Sequence, residues 1–427
     1  MRLTSGAHSR YGTTAMHRAL LALLALALLG CQPRPAPSAP AVVPAAILVE
    51  PRALSLRAGD SAQLSAQVND ALGQPIGGAP IAYGTSDPGV VRVTARGLAT
   101  STGQAGSAQI LVSSGDQSAA VTVTVSPGPV KRLEKAGGDG QRGVVGTALE
   151  EGVSVKAVDA YGNPVAGARV LFSTPDGGAA SPPAATTSAT GAASTTWTLG
   201  TSPGPQRLFA ALEIAPGAAK LFTATAHAGA PARLSAAAQP APAAAGSEVV
   251  VRVSAADSAG NAVPGAEVTW RALSAGTAIS PPTSVTDAEG VAEARVETAG
   301  AAGKNRIEAR AKGPAQPLEL TLETVSGPPA RVEVTKGDRQ SASARRPVRT
   351  APVVRVVDAY GNPVAGVRLH FTASGGGAIQ DDAPVTDAKG VASCGRWTLG
   401  APGANALAVA ADGVAQPVRI VATARRR

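Results

Sequence analysis

Three Asp–Asn pairs recur at one spacing and are the residues best suited to chemistry: Asp159 with Asn163, Asp257 with Asn261, and Asp358 with Asn362. A carboxylate and an amide four residues apart could begin a calcium site. Ca²⁺, however, takes 6–8 oxygens, and each segment supplies only one carboxylate and one amide. The favoured reading is a structural turn in which the carboxylate accepts backbone N–H groups and Asn163 satisfies local donors; a calcium ion shared between adjoining domains is the alternative. Gly162, Gly260 and Gly361 sit just before the asparagines and suit a positive φ.

Acid–base and metal chemistry have few other candidates. Of the four histidines, His8 and His17 fall in an N-terminal leader, leaving His227 and His370 about 140 residues apart. Zinc needs clustered Cys and His, and a catalytic nucleophile needs a nearby base. Neither arrangement is visible, so no enzyme activity, metal or cofactor is expected. Cys394 aligns with Ala294 of a neighbouring repeat and is read as core packing, with an intermolecular disulfide as the alternative. Trp197 and Trp397 are read as core plugs rather than ligand platforms.

The elements that carry these residues are repeats. VDAYGNPVAGARVLF (Val158 to Phe172) returns as VDAYGNPVAGVRLHF (Val357 to Phe371). Divergent copies are ADSAGNAVPGAEVTW, beginning at Ala256, and NDALGQPIGGAPIAY, beginning at Asn69. Marker residues Asp70, Asp159, Asp257 and Asp358 are spaced by 89, 98 and 101 residues, the size of an immunoglobulin-like sandwich. Turn-and-strand segments TSATGAAST, TDAEGVAEA and TDAKGVASC follow in the same order, and WTLG ends that strand at Trp197 and Trp397. The last of these copies is one residue longer, which predicts a β-bulge near Gly395. Val153, Val155, Ala157 and Asp159 share one face by period two, and the turn at AYGNP predicts a hairpin-like connection into Ala168–Phe172.

Composition agrees. Aromatic residues make up 3%, while Gly (49) and Pro (34) interrupt nearly every stretch that could form a helix. Thin Val/Ala/Leu cores follow, in an all-β fold of tandem immunoglobulin-like β-sandwiches after a leader and a Pro-rich tether. The boundaries read as 1–30 leader, 31–44 tether, then sandwiches at 45–127, 128–229, 230–327 and 328–427, the last with a basic tail. Net charge is +9, much of it in ARRPVR (from Ala344) and ARRR (from Ala424). The arginines are read as solvated, with weak attraction to anionic lipopolysaccharide or polysaccharide as the alternative. No basic stripe with interleaved aromatics supports nucleic-acid binding.

Ala19–Leu29 is an unbroken apolar run of 11 residues, too short to span a bilayer and matched to a signal-peptide core. Met16 is an alternative start to Met1. The run ends in Leu28-Leu29-Gly30-Cys31, which resembles the lipobox of bacterial lipoproteins. That resemblance implies cleavage before Cys31, acylation of its sulfur and amine, and a membrane partner through the lipid. Gln32, where family rules place Asp for inner-membrane retention, implies the outer membrane in a diderm organism, on its periplasmic or its surface side.

The repeats resemble bacterial Ig-like domains. The last three are similar to those of the intimin/invasin adhesins through their D-x-x-GN-x-V-x-G segments. The first is more similar to the second bacterial Ig-like group, through LRAGDSAQLSAQV (from Leu56) and TSDPGVVRV (from Thr85). The resemblance implies a cell-envelope lipoprotein acting as a stalk or spacer. The alternative is an adhesin or glycan- or protein-binding module with specificity in the distal domain. Neither the β-barrel nor the lectin-like cap of those adhesins is expected from residues 1–427.

Overall fold

The computed structural model describes residues 43–237 and 241–426. The expected leader, Cys31 and nearly all of the expected tether lie outside the described residues. Among those described there is no helix, and every regular element is a strand. The all-β, tandem Ig-like expectation is borne out. By its internal contacts the chain forms two compact units. One ends at Val125 and lacks the loop Gly103–Ala105; the other comprises that loop and Ser126 onward.

In the first unit, Ala53–Arg57, Gln117–Ser126, Gly106–Ser114 and Ala82–Thr85 form a four-stranded sheet. Opposite it lie the three-stranded sheet of Ser61–Gln63, Leu98–Ser101 and Val91–Val93 and the pair Ala46–Glu50 with Ser65–Asn69. The Gly106–Ser114/Gln117–Ser126 hairpin shows why these are strands. Ala108, Ile110 and Val112 alternate with exposed neighbours; Ala108 and Ile110 pair with Val123 and Val121, and all of them lie with Val125 on one buried face of the sheet.

The second unit holds three sandwiches, each with its own core. In the one at 128–229, Arg132–Gly137, Val153–Val158, Ala192–Thr198 and Ala179–Ser181 form one sheet. The facing sheet runs Gln141–Val144, Ala215–His227, Gly204–Leu212, Arg169–Ser173 and Ala184–Thr186, with Gln141–Val144 parallel to its neighbour. The same strand order recurs at 230–327. Trp197, Phe222 and Leu208 fill the core at 128–229, as Trp397, Leu369 and Ile420 do at 328–427. Among the described residues the indole N–H groups of Trp197 and Trp397 find no acceptor, whereas Trp270 donates to Ser284 Oγ at 2.8 Å.

Two local expectations are corrected. The AYGNP segment does reverse the chain, since Val165 N donates to Ala157 O at 2.9 Å. Yet it is not a hairpin, because Val153–Val158 and Arg169–Ser173 belong to opposite sheets. A second corner carries the chain across. Gly167 adopts φ 76°, and the buried Thr187 hydroxyl donates to Val165 O (2.7 Å) while accepting from Ala168 N (2.9 Å). Thr286 and Thr386 make the same bridge in the other two copies. The extra residue near Gly395 also does more than bulge a strand. Pairing stops at Ser393 and resumes at Trp397, with Gly395 at φ 67°. Gln380 fills the gap: its N donates to Arg396 O at 3.0 Å and its Oε1 accepts from Arg396 N at 3.3 Å.

Candidate functional site

The Asp–Asn segments are the most densely bonded polar groups of the second unit. Gly162, Gly260 and Gly361 have φ of 91°, 89° and 89° and let the chain fold over the preceding aspartate. The Asp159 carboxylate is fully buried. Oδ1 accepts from Tyr161 N (2.8 Å) and Asn163 N (2.9 Å); Oδ2 accepts from Asn163 Nδ2 (2.8 Å) and Gly128 N (2.9 Å). Asp257 and Asp358 repeat the pattern, with Gly229 N and Gly327 N in the place of Gly128 N, at 3.0 and 2.9 Å. These three glycines lie on the segments that lead from one sandwich into the next. Each aspartate therefore fixes its own turn and the incoming linker at once.

The asparagines reach the other way. Asn163 does not serve only local donors: its Nδ2 donates to Gly103 O at 2.6 Å and its Oδ1 accepts from Ala105 N at 2.9 Å. Asn261 Nδ2 donates to Thr201 O at 2.8 Å. Asn362 donates to Gly300 O (2.7 Å) and accepts from Ala302 N (2.8 Å). Each loop so gripped lies about 60 residues upstream in the chain. Two of these loops are held by a buried amide of their own sandwich. Gln206 Oε1 accepts from Gly200 N at 2.7 Å, and Asn305 Oδ1 accepts from Ala299 N at 3.2 Å. Tyr360 completes the third joint by lying against Gly246 and Gly300, where even a β-carbon would collide with its ring.

Electrostatics favour the charged carboxylate. Burial alone would raise the pKa of Asp159. The hydrogen bonds from the Asn163 side chain, Gly128 N and the turn amides outweigh it and hold the group below the usual carboxylate value. The same balance holds at Asp257 and Asp358. With four N–H donors on its two oxygens, each carboxylate is saturated and has no lone pair left for a cation. The geometry thus favours the turn over the calcium alternative.

The remaining candidates stay apart. His227 ends the strand Ala215–His227, while His370 lies exposed in another sandwich, 3.1 Å from Asp412. Cys394 is fully buried in the core, where desolvation pushes its thiol up to about 11, far from a reactive thiolate. The reading missed Gln206, Asn305 and Asn405, although a signal exists: one amide at the matched place in GPQRL, GKNRI and GANAL.

Residues 232–323 match the family model described as Bacterial Ig-like domain (group 1). No curated protein matches the chain. Among solved structures, FdeC, a broadly conserved Escherichia coli adhesin, is 23% identical with a TM-score of 0.46, covering 69% of this chain and 99% of its own. Invasin, a bacterial integrin-binding protein, is 14% identical with a TM-score of 0.42, covering 88% and 78%. InvD of Yersinia pseudotuberculosis is 18% identical with a TM-score of 0.37, covering 66% and 94%. The matched residues make up one sandwich, and the sandwich before it shares its strand order.

Proposed function

We propose that this chain is a non-enzymatic cell-envelope spacer, a lipid-anchored series of Ig-like domains. The observation that carries the reading is the joint: one Asp–Asn device, repeated three times, couples each linker glycine and an upstream loop to the next turn. A spacer needs connections that resist bending, and buried charge-assisted hydrogen bonds serve that better than free linkers do. The reading expects slow hydrogen exchange at the amides of Gly128, Gly229 and Gly327. Exchange at unprotected-loop rates would overturn it.

The anchor is part of the proposal and rests on the Leu28–Cys31 motif. Several acyl chains at ~0.8 kcal/mol per buried CH₂ hold a protein on a membrane firmly. Cys31→Ser is expected to move the protein from the membrane fraction to the soluble fraction. A variant that stays membrane-bound sinks the anchor.

The second reading, a binding module with its specificity in the fourth domain, is favoured by one observation. That domain alone breaks a strand that is continuous in the two before it.

A further inference from the structure

The fourth domain differs from its two predecessors at the pole where they grip the next domain. The strand Gln141–Val144 leads in the second domain to Gly146, with φ 70°, and Thr147. The third domain has Gly246, with φ 69°, and Ser247 at this corner. Gln141 and Gln340 make matching bonds, to Gly138 O and Gly337 O, so the corresponding residues of the fourth domain are Arg345 and Arg346. Arg345 keeps the left-handed backbone, at φ 60°. A non-glycine residue there carries strain of order 1–3 kcal/mol, and such strain points to a role for the side chain.

At Gly246 the lack of a side chain serves the joint, whereas Gly146 has open space around it. A β-carbon on Gly246 would stand 1.9 Å from the Tyr360 hydroxyl of the following domain. Arginine at 345 places a charged side chain at this corner, where the two preceding domains have none.

What the pole offers instead is charge. Ser343 pairs in register with Arg425, and Ala344 N donates to Arg425 O at 2.9 Å, which brings the C-terminal strand beside the corner. Arg345, Arg346, Arg425 and Arg426 are all exposed there. Among the described residues none of the four joins an ion pair, whereas Arg132, Arg169, Arg207, Arg252, Arg295 and Arg331 do. The segments that build the pole, 343–347, 399–405 and 423–426, contain no acidic residue, no aromatic residue and no exposed large apolar side chain.

We propose that this arginine pole binds an anionic polysaccharide. The inference rests on the reading of this chain as a cell-envelope spacer. Guanidinium groups match carboxylate and sulfate oxygens in two-point hydrogen bonds, and a cluster of like charges is relieved by a multivalent anion. A nucleic acid would want aromatic platforms for its bases, and a bilayer would want apolar side chains to insert. The pole has neither.

The test compares the purified protein with the variant Arg345→Gly, Arg346→Thr, Arg425→Gln, Arg426→Gln. The first two changes restore the residues of the second domain and remove strain, so the fold should be kept; a melting temperature no lower than the parent's checks this. Arg233→Gln with Arg271→Gln, exposed in the third domain, is the charge control. Heparin and polygalacturonate are the probes, with dextran, single-stranded DNA and anionic phosphatidylglycerol vesicles beside them. The expected result is binding to both polyanionic glycans that weakens with salt, falls about tenfold or more in the pole variant and changes less than about twofold in the control. The proposal is overturned by absent glycan binding at low salt or by equal losses in pole variant and control. Tighter binding to DNA or vesicles than to either glycan overturns it too. Exchange at the linker glycines is untouched by any of these outcomes, so the spacer reading stands or falls separately.

Discussion

Replacing Asp358 with alanine is expected to cost the fourth domain on the order of 3–5 kcal/mol and to loosen its joint with the third. The carboxylate accepts from Tyr360 N, Asn362 N, Asn362 Nδ2 and Gly327 N, all at 2.8–2.9 Å in a buried setting. Removing it strands four donors at once, and unsatisfied buried donors cost about 1–3 kcal/mol each before the structure relaxes. Asp358→Asn should cost less, because one amide oxygen still accepts. Asn362→Ala should free the loop at Gly300 and Ala302 while leaving most of the turn in place. Residue-resolved hydrogen exchange on the whole protein separates these outcomes. Asp358→Ala should speed exchange at Gly327 and throughout the fourth domain, Asn362→Ala mainly at Ala302. The pH dependence follows with a definite sign. The folded pKa of Asp358 lies below its ordinary value, so its contribution is complete above the unfolded pKa of ~3.9 and is lost as pH falls through the folded one. Melting of the fourth domain should be flat from neutral pH to about 5 and drop below about 4, with a shallower drop in Asp358→Asn. A wild-type melting temperature that rises with calcium, and no longer does so in Asp358→Asn, would restore the cation site.

The sequence makes the repeats and the strand class plain because both are local. Period-two alternation in Gln117–Ser126 and the near-verbatim return of VDAYGNPVAG need no tertiary knowledge. The Asp–Asn pairs are visible too, yet their reach is not. Asn163, Asn261 and Asn362 bond to loops some 60 residues upstream, and nothing in the five-residue turn encodes that partner. The path after the turn is hidden for a related reason. Asp159 to Pro164 alone looks like a hairpin, and only the buried Thr187 hydroxyl, 22 residues beyond Val165, shows the chain being turned onto the other sheet. At Gly395 one inserted residue is legible, but whether it bulges or breaks a strand depends on the partner strand. Ala378–Ile379 offers only two paired residues there, against three in Ala179–Ser181, and Gln380 takes up the broken pairing.

The two glycines around Asp358 should respond very differently to valine. Both have a positive φ, 89° at Gly361 and 71° at Gly390, so a β-branched residue is strained at either, at about 1–3 kcal/mol. Gly361 has open space around it: the nearest atom to an added β-carbon is the Arg331 guanidinium at 3.6 Å. Its replacement should cost the strain alone. Gly390 is enclosed by backbone, with Val356 O at 2.6 Å and Val364 N at 3.0 Å from the β-carbon position. Those two atoms are bonded to each other, and Val356 N donates to Gly390 O at 2.8 Å. Relief of the clash must therefore pull the TDAKG turn away from the strand that leads into Asp358. Overpacking of this kind adds about 1–3 kcal/mol, giving on the order of 3–5 kcal/mol in all. Urea unfolding of the whole protein, followed by exchange at fourth-domain amides, should rank Gly390→Val well below Gly361→Val in stability. The second domain, with its own core around Trp197 and its own Gly191 in the corresponding place, should unfold as in the parent because repeat arrays couple mainly to neighbours. If Gly361→Val proves the more damaging, the enclosure of Gly390 is not what holds this corner together.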